Sequence, residues 1–343
     1  SRVNYLQYVQ SHIEYDKKCF NRIVKKLTIS DSPFTVDTIV DEFHKQSFEI
    51  TLFSYMEKMI AKLWRQGQHR TSETYQATLN SFRKFREGVD VCFDDIDSEM
   101  LISYEYHLRA KELAPNTISF YMKRLRAVYN NAVEDGYVEN KNPFKKVFTS
   151  SEKTVKRAIP LKFVRKLKDL DLSYSPSKSF ARDMFLFSFY TRGMSFIDMA
   201  YLRKKDLQNS ILSYRRRKTG QQLFIKWEKC MQEIVDKYPV NETEYLLPII
   251  IQRDVDYRKQ YTNELHRVNH LLKKIGKQLG LSIPLTMYVG RHSWASVAKS
   301  RNVPISVISE GMGHDSENTT QIYLASLDTS VVDKANKKIL DLL

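Results

Sequence analysis

The sequence predicts a mainly α protein with one small β-hairpin, an α+β chain whose two larger domains are joined by a short linker. Three observations carry this. Apolar residues recur three and four apart through most of the chain, as in Phe53, Met56, Ile60 and Leu63, the spacing that lines one face of a helix. A single stretch, Ile211 to Ile225, reads instead as two β-rich pieces about Gly220. A polar, basic stretch over 149–160, containing Lys153, Lys156 and Arg157, has no apolar period and separates the helices before it from those after it.

Composition narrows the partners. A length of 343 residues suits two or three domains, and a formal charge of +15 favours a polyanion. The charge is spread over helices rich in Leu, Ile, Phe and Tyr, so it belongs to a folded basic protein rather than a basic tail. No apolar run approaches the ~18 residues of a membrane span, and no signal peptide is apparent. Cys19, Cys92 and Cys230 are far apart and lack metal-ligand spacing, as expected of ordinary thiols in a reducing cytoplasm. The chain opens on Ser1 rather than Met, as a truncated form would.

In order, residues 1–47 read as a short helical region. Tyr5, Val9 and Ile13, then Phe20, Ile23 and Val24, then Val36, Ile39, Val40 and Phe43 mark its helices, with Lys17, Lys18, Arg22, Lys25 and Lys26 clustered on it. Residues 48–148 read as a helical bundle. After the stripe from Phe53, a second helix starts at Thr71-Ser72-Glu73-Thr74, with Thr71 as its cap, and turns Tyr75, Leu79, Phe82 and Phe85 inward. A third starts at Ile96-Asp97-Ser98-Glu99 with Leu101, Tyr104 and Leu108 inward. A fourth opens at Pro115 with Ile118, Tyr121, Leu125 and Val128 inward and Lys123, Arg124 and Arg126 on its other face. Gly136 ends the bundle.

Residues 161–343 form the last domain. A helix from Leu161 carries Phe163, Leu167 and Leu170, and an apolar, buried helix spans Phe180 to Tyr190. The hairpin comes next with Lys218 near its tip, then helices about Met231–Tyr238 and Thr262–Leu279. Arg291 stands near the start of a helix whose apolar face includes Trp294, Val297 and Ala298. Asn302-Val303-Pro304 breaks that helix, and Pro304 opens a short one that stops at Gly311-Met312-Gly313, leaving His314 on a turn. Thr319 to Tyr323 begin another short helix, and Val332, Ala335, Ile339 and Leu342 pattern a C-terminal one. A guanidinium, an imidazole and a phenol thus come from three neighbouring elements. Such a set suits phosphoryl transfer: the cation neutralises non-bridging oxygens, the imidazole donates a hydrogen bond or moves a proton, and the phenol attacks.

Gly313-His314 with Tyr323 nine residues later, and Arg291-His292-Ser293 before them, resemble the tyrosine recombinases, the phage integrase family. The resemblance extends from about Phe48 to Leu343. It implies a helical core-binding domain over 48–148 and a catalytic domain over 161–343, closing on duplex DNA as a clamp. It further implies site-specific recombination through a 3′-phosphotyrosyl intermediate, with a free 5′-hydroxyl and no cofactor or metal. Tyr323 would be the nucleophile, Arg291 and His314 phosphate ligands, and Lys218 the general acid for the 5′-oxygen. Tyr288 occupies the place three residues before the arginine where the family has His. Lys123, Arg124 and Arg126, the run Arg215, Arg216 and Arg217, and His292 would contact DNA. The first family arginine falls on Ser195, with Asp198 and Leu202 in register, so a cation must come from Arg192 or, further back, from Arg182; Arg192 is preferred because a loop residue reaches inward without unwinding a helix. Residues 1–47 would be a remnant that binds accessory arm sites or a solvated helix pair. The expected partners are double-stranded DNA, other copies in a tetramer linked through the C-terminal helix, and accessory DNA-bending proteins, with no membrane, in the cytoplasm at the bacterial nucleoid. A topoisomerase IB or telomere resolvase shares the chemistry, and a DNA-binding protein that has lost catalysis shares the surface.

Overall fold

A computed structural model describes residues 33–46, 51–152 and 157–314 continuously, with isolated positions between 13 and 29 and between 316 and 340. The chain divides into two compact units, residues 1–153 and 154–343. Tyr5, Val9, Tyr323 and most of the C-terminal segment lie outside the described residues.

In the first unit α1 (Val36–Gln46) precedes a bundle of α2 (Leu52–Arg65), α3 (His69–Phe85), α4 (Ser98–Ala110) and α5 (Pro115–Glu134). The apolar stripes meet in one core, with Met56, Leu79, Tyr104, Met122 and Val128 wholly enclosed. Asp97 caps α4, its carboxylate accepting from Met100 N–H at 2.8 Å, and Pro115 sits at the first turn of α5 where no donor is lost. The start of α3 differs from the sequence expectation. It begins at His69, so Thr71 lies inside the helix and caps nothing. The turn after α2 sets this start: Gly67 takes φ +74, Gln68 N–H bonds Leu63 C=O, and the His69 ring packs on Trp64. The segment read as linker also starts later than expected. Asn116 exchanges two hydrogen bonds with the Glu152 backbone, Lys123 donates to Ser151, and Arg126 donates to Thr149, so 149–152 is tied to α5.

The second unit is built on α7 (Pro176–Tyr190), which is apolar on nearly every side and packs against α6 (Leu161–Lys168), α9 (Lys229–Asp236), α10 (Tyr257–Gln278) and α11 (Met287–Ser300). Its one buried carboxylate, Asp183, is ion-paired with Arg182 and Lys237 and accepts from the Tyr238 hydroxyl, the partners a buried charge requires. The short α8 (Phe196–Ala200) leads to a three-stranded antiparallel sheet in the order β1 (Leu207–Gln208), β2 (Ile211–Arg215), β3 (Gln222–Lys226). Leu212 pairs with Ile225 and Tyr214 with Leu223, all four facing inward. β1 is too short to leave a periodic trace in the sequence. Helix α6 ends at Lys168, before Leu170, and α12 (Ile305–Met312) runs through Gly311 and Met312 to stop at Gly313. Among the described residues no helix is long and apolar enough to cross a membrane.

Candidate active site

Four elements of the second unit converge on Arg291: the turn between α7 and α8, the β2–β3 hairpin, α11 and the end of α12. Arg291 is the fifth residue of α11 and only 6% exposed. Its guanidinium donates to Gly193 C=O at 2.7 Å and to Met312 C=O at 2.6 Å, which binds the α7–α8 turn and the α12 terminus to one charge. Gly193 makes room for it. With φ +76, a Cβ there would stand 2.8 Å from Arg291 Cα.

His314 comes directly after the left-handed cap Gly313 (φ +64) and its N–H bonds Ser309 C=O. Arg291 Nη2 lies 3.0 Å from His314 Nε2, and His314 Nδ1 lies 2.7 Å from the buried Thr320 hydroxyl. Because a guanidinium can only donate, Nε2 is the acceptor and the proton sits on Nδ1. Burial first, then the charges of Arg291, Arg216 and Lys218, push the imidazole pKa down to about 4. The ring is therefore neutral at physiological pH.

The hairpin is sewn to this corner. Asp198, buried at the start of α8, accepts the Arg217 N–H at 2.9 Å and the Ser195 hydroxyl at 2.6 Å. Thr219 and Arg216 both donate to Gly313 C=O. Lys218 is exposed on the turn at the tip, adjoining His314 closely enough for its charge to act there. Arg215, Arg216 and Arg217, read from the sequence as one DNA-contacting run, separate. Arg215 is exposed and donates to Gly220 C=O, Arg217 lies 4.0 Å over the Tyr201 ring, and Arg216 is buried. Strand alternation is the reason, since Arg216 continues the inward row of Leu212 and Tyr214.

Ser195, the residue expected from the sequence in the slot of the first family arginine, spends its hydroxyl on Asp198. Arg192, at φ +60 in the α7–α8 turn, is half-buried, and its Cδ and the Trp294 ring lie against Gly311. Arg182 is committed elsewhere, bonded to Asp183, Leu170 C=O and Ser179. Tyr288 is exposed one turn before Arg291, with its ring edge-on to half-buried His292. In the first unit Lys123 and Arg126 are exposed on α5, while Arg124 turns onto Tyr75 and Phe120. The roles of Gly193, Thr219 and Thr320 leave no signal in the sequence; the buried position of Arg216 is readable from strand alternation.

A family model described as the phage integrase SAM-like domain matches residues 51–150, and one described as the phage integrase family matches residues 173–330. Tyrosine recombinase XerA of Thermococcus kodakarensis is 25% identical over 236 residues, 67% of this chain and 77% of its own. Lambda integrase is similar in two solved forms. A dimer bound to a COC′ core site has a TM-score of 0.64 at 15% identity, covering 88% of this chain and 84% of that one. A tetramer bound to a Holliday junction has a TM-score of 0.61 at 17% identity, covering 80% and 78%. The Tn1549 transposon integrase in complex with a circular intermediate DNA has a TM-score of 0.59 at 16% identity, covering 84% and 99%. At these identities the structural likeness is one of fold.

Proposed function

We propose, from the premise that this chain belongs to the tyrosine recombinase (phage integrase) family, that it cuts and rejoins DNA at specific sites through a 3′-phosphotyrosyl bond, moving or inverting a mobile element. The observation that carries the chemistry is the convergence of Arg291, Arg216 and Lys218 on a neutral His314, a cluster of positive charge suited to a phosphate.

In this reading Tyr323 Oη attacks the scissile phosphorus and loses its proton to solvent. The Oη–P bond forms as the P–O5′ bond breaks. The electron pair leaves on O5′, which takes a proton from Lys218 and departs as the 5′-hydroxyl. Arg291 holds a non-bridging oxygen with a planar fork, as an ammonium cannot. His314 would lend the phosphate a hydrogen bond by exchanging its contact with Thr320 or Arg291 for it, and Tyr288 offers its phenol in the family's histidine position. Arg192, its Cδ beside Gly311, would add positive charge to the site. Asp198 positions the hairpin through the Arg217 backbone. The phosphotyrosine conserves the energy of the broken bond, so attack by a 5′-hydroxyl on it reseals DNA with no nucleotide cofactor.

Residues 48–148 would bind the duplex as a core-binding domain, with Lys123, Arg124 and Arg126 on the backbone and residues 1–47 on accessory sites. Arg215, Arg217 and His292 would contact DNA around the catalytic centre. Four copies would assemble on paired sites with accessory DNA-bending proteins, at the bacterial nucleoid. The test is a duplex from the repeats flanking the encoding gene, nicked just downstream of the cleavage position so that the short fragment carrying the new 5′-hydroxyl diffuses away. A covalent protein–DNA adduct on a denaturing gel is expected from the parent and none from Tyr323→Phe, with both binding the duplex alike. Adduct from the Phe variant removes Tyr323 as nucleophile; none from the parent removes the function.

A further inference from the structure

Stabilising a pentacoordinate phosphorane takes positive charge on more than one side, and Arg291 provides one side only. Ser195 cannot provide another, because it is neutral, short and bonded to Asp198. Among the described residues, one guanidinium is buried in the site with hydrogen-bonding capacity unspent. Arg216 is 6% exposed, and one of its terminal nitrogens donates to Gly313 C=O. Its Nε is sealed from solvent and has no hydrogen-bond partner among the described residues. A buried donor left unpaired costs about 1–3 kcal/mol, more when charged, so a native site that keeps one calls for a reason.

The position is fixed as firmly as that of Arg291. Arg216 N–H bonds Gln221 C=O, and Gly220 N–H bonds Arg216 C=O, closing the hairpin turn. Its Cδ lies 3.1 Å from where a Cβ on Gly313 would stand, so Gly313 and Arg216 are pressed together beside His314. The next residue but one is Lys218. Arg192 stands differently: its Cδ lies against Gly311, two residues before Gly313, and it is absent from the charges that bear on His314, although it joins Arg291 and Arg216 in acting on the Tyr214 phenol.

We propose, resting on the strand-transfer reading above, that Arg216 is a catalytic residue: its guanidinium takes a non-bridging oxygen of the scissile phosphate from the hairpin side, filling the role that Ser195 leaves empty. The hairpin then delivers two cations by strand geometry, one inward to the phosphate and one, Lys218, to the leaving oxygen.

The test measures adduct formation on the nicked duplex by parent, Arg216→Ala and Arg192→Ala. Each is also assayed on the same duplex with a methylphosphonate at the scissile position, which removes one non-bridging charge. Arg216→Ala is expected to bind DNA within about threefold of parent and to cleave the phosphodiester about 10²–10³-fold more slowly, the loss typical of one such donor. On the methylphosphonate its deficit should shrink to about tenfold or less, because the charge it answered is gone; a purely structural role would carry the same deficit to both substrates. Should the Ala variant melt early, Arg216→Lys keeps a charge and a donor for Gly313. It is expected to fall at least about tenfold on the phosphodiester, since an ammonium cannot bridge oxygens, and to approach parent on the methylphosphonate. Cleavage by Arg216→Ala within threefold of parent, or equal deficits on the two substrates, overturns the assignment. Arg192→Ala showing the substrate-dependent deficit instead moves the role to Arg192. A parent that forms no adduct fails at the earlier step and takes the function with it.

Discussion

Gly193→Ala isolates the packing that holds Arg291 in place. The left-handed φ of +76 costs an alanine about 1–2 kcal/mol. The new methyl would also stand 2.8 Å from Arg291 Cα and 3.0 Å from its Cγ, where carbon atoms prefer about 3.5–4.0 Å. Neither neighbour is the loose end of a side chain, so the turn and α11 must part by close to 1 Å. Overpacking of this kind costs about 1–3 kcal/mol. The total, roughly 3 kcal/mol, corresponds to about 6–12 °C in Tm for a unit of this size. Separation also stretches the 2.7 Å bond from Arg291 to Gly193 C=O, and a misplacement of about 1 Å at a reacting centre can cost about 10²-fold in rate. The expected variant binds the nicked duplex normally, melts early and forms adduct about a hundredfold more slowly at a temperature where it is folded. Gly280→Ala is the control, because φ is +71 there too but a Cβ meets nothing within 4 Å. It should lose only the conformational 1–2 kcal/mol and cleave as the parent does. If the two variants melt together and Gly193→Ala cleaves within threefold of parent, the close approach does not hold Arg291.

Three further outcomes are expected. Arg291→Lys should slow adduct formation by about 10²–10³-fold, because one ammonium cannot replace two carbonyl contacts and still meet the phosphate; a single-turnover time course within threefold of parent would contradict this. His314 has a folded pKa pushed down to about 4, from an ordinary value near 6.5, by burial and by Arg291. The stability it contributes as a neutral group is whole above pH 6.5 and drains as pH falls toward 4. Its ring resonance, assigned by His314→Gln, should stay flat from pH 8 to 5.5, and the acid-side loss of Tm should be smaller in His314→Gln; a midpoint near 6.5 would mean the ring is not in this pocket. Asp183→Ala strands Arg182, Lys237 and Tyr238 without their acceptor and should cost about 3 kcal/mol by chemical denaturation, whereas a change below about 1 kcal/mol would show that the cluster is solvated.

Local periodicity made much of the fold readable. The stripes from Phe53, Tyr75, Leu101 and Ile118 each became the buried face of a helix, because 3.6-residue spacing needs no knowledge of distant partners. Gly220 marked the hairpin turn for the same reason, since a turn preference is local. Thr71 misled because a cap preference is worth only about 1 kcal/mol, and the tight Gly67 turn with the Trp64–His69 contact outweighed it. Gly193 was unreadable for a different reason. Its constraint is Arg291 Cα, 98 positions away in the chain, and nothing local to Arg192-Gly193-Met194 encodes that neighbour.

The run Arg215 to Lys218 lies between these cases. As composition it is four equivalent cations, and a charge run suggests only a surface. Carrying the period of two from Leu212 and Tyr214 one step past the end of β2 separates them, with 216 inward and 215 and 217 outward. The rule extends there because Arg216 still makes a sheet-like hydrogen bond to Gln221 C=O after the ladder has formally ended. Helix α8 and the hairpin face the same corner, and Asp198 ties Ser195 on one to Arg217 on the other. A cation lost from the helix can therefore be supplied by the strand without moving the backbone of either. On the role proposed for Arg216, shared access to one pocket, rather than alignment of one position, supplies the charge that Ser195 does not carry.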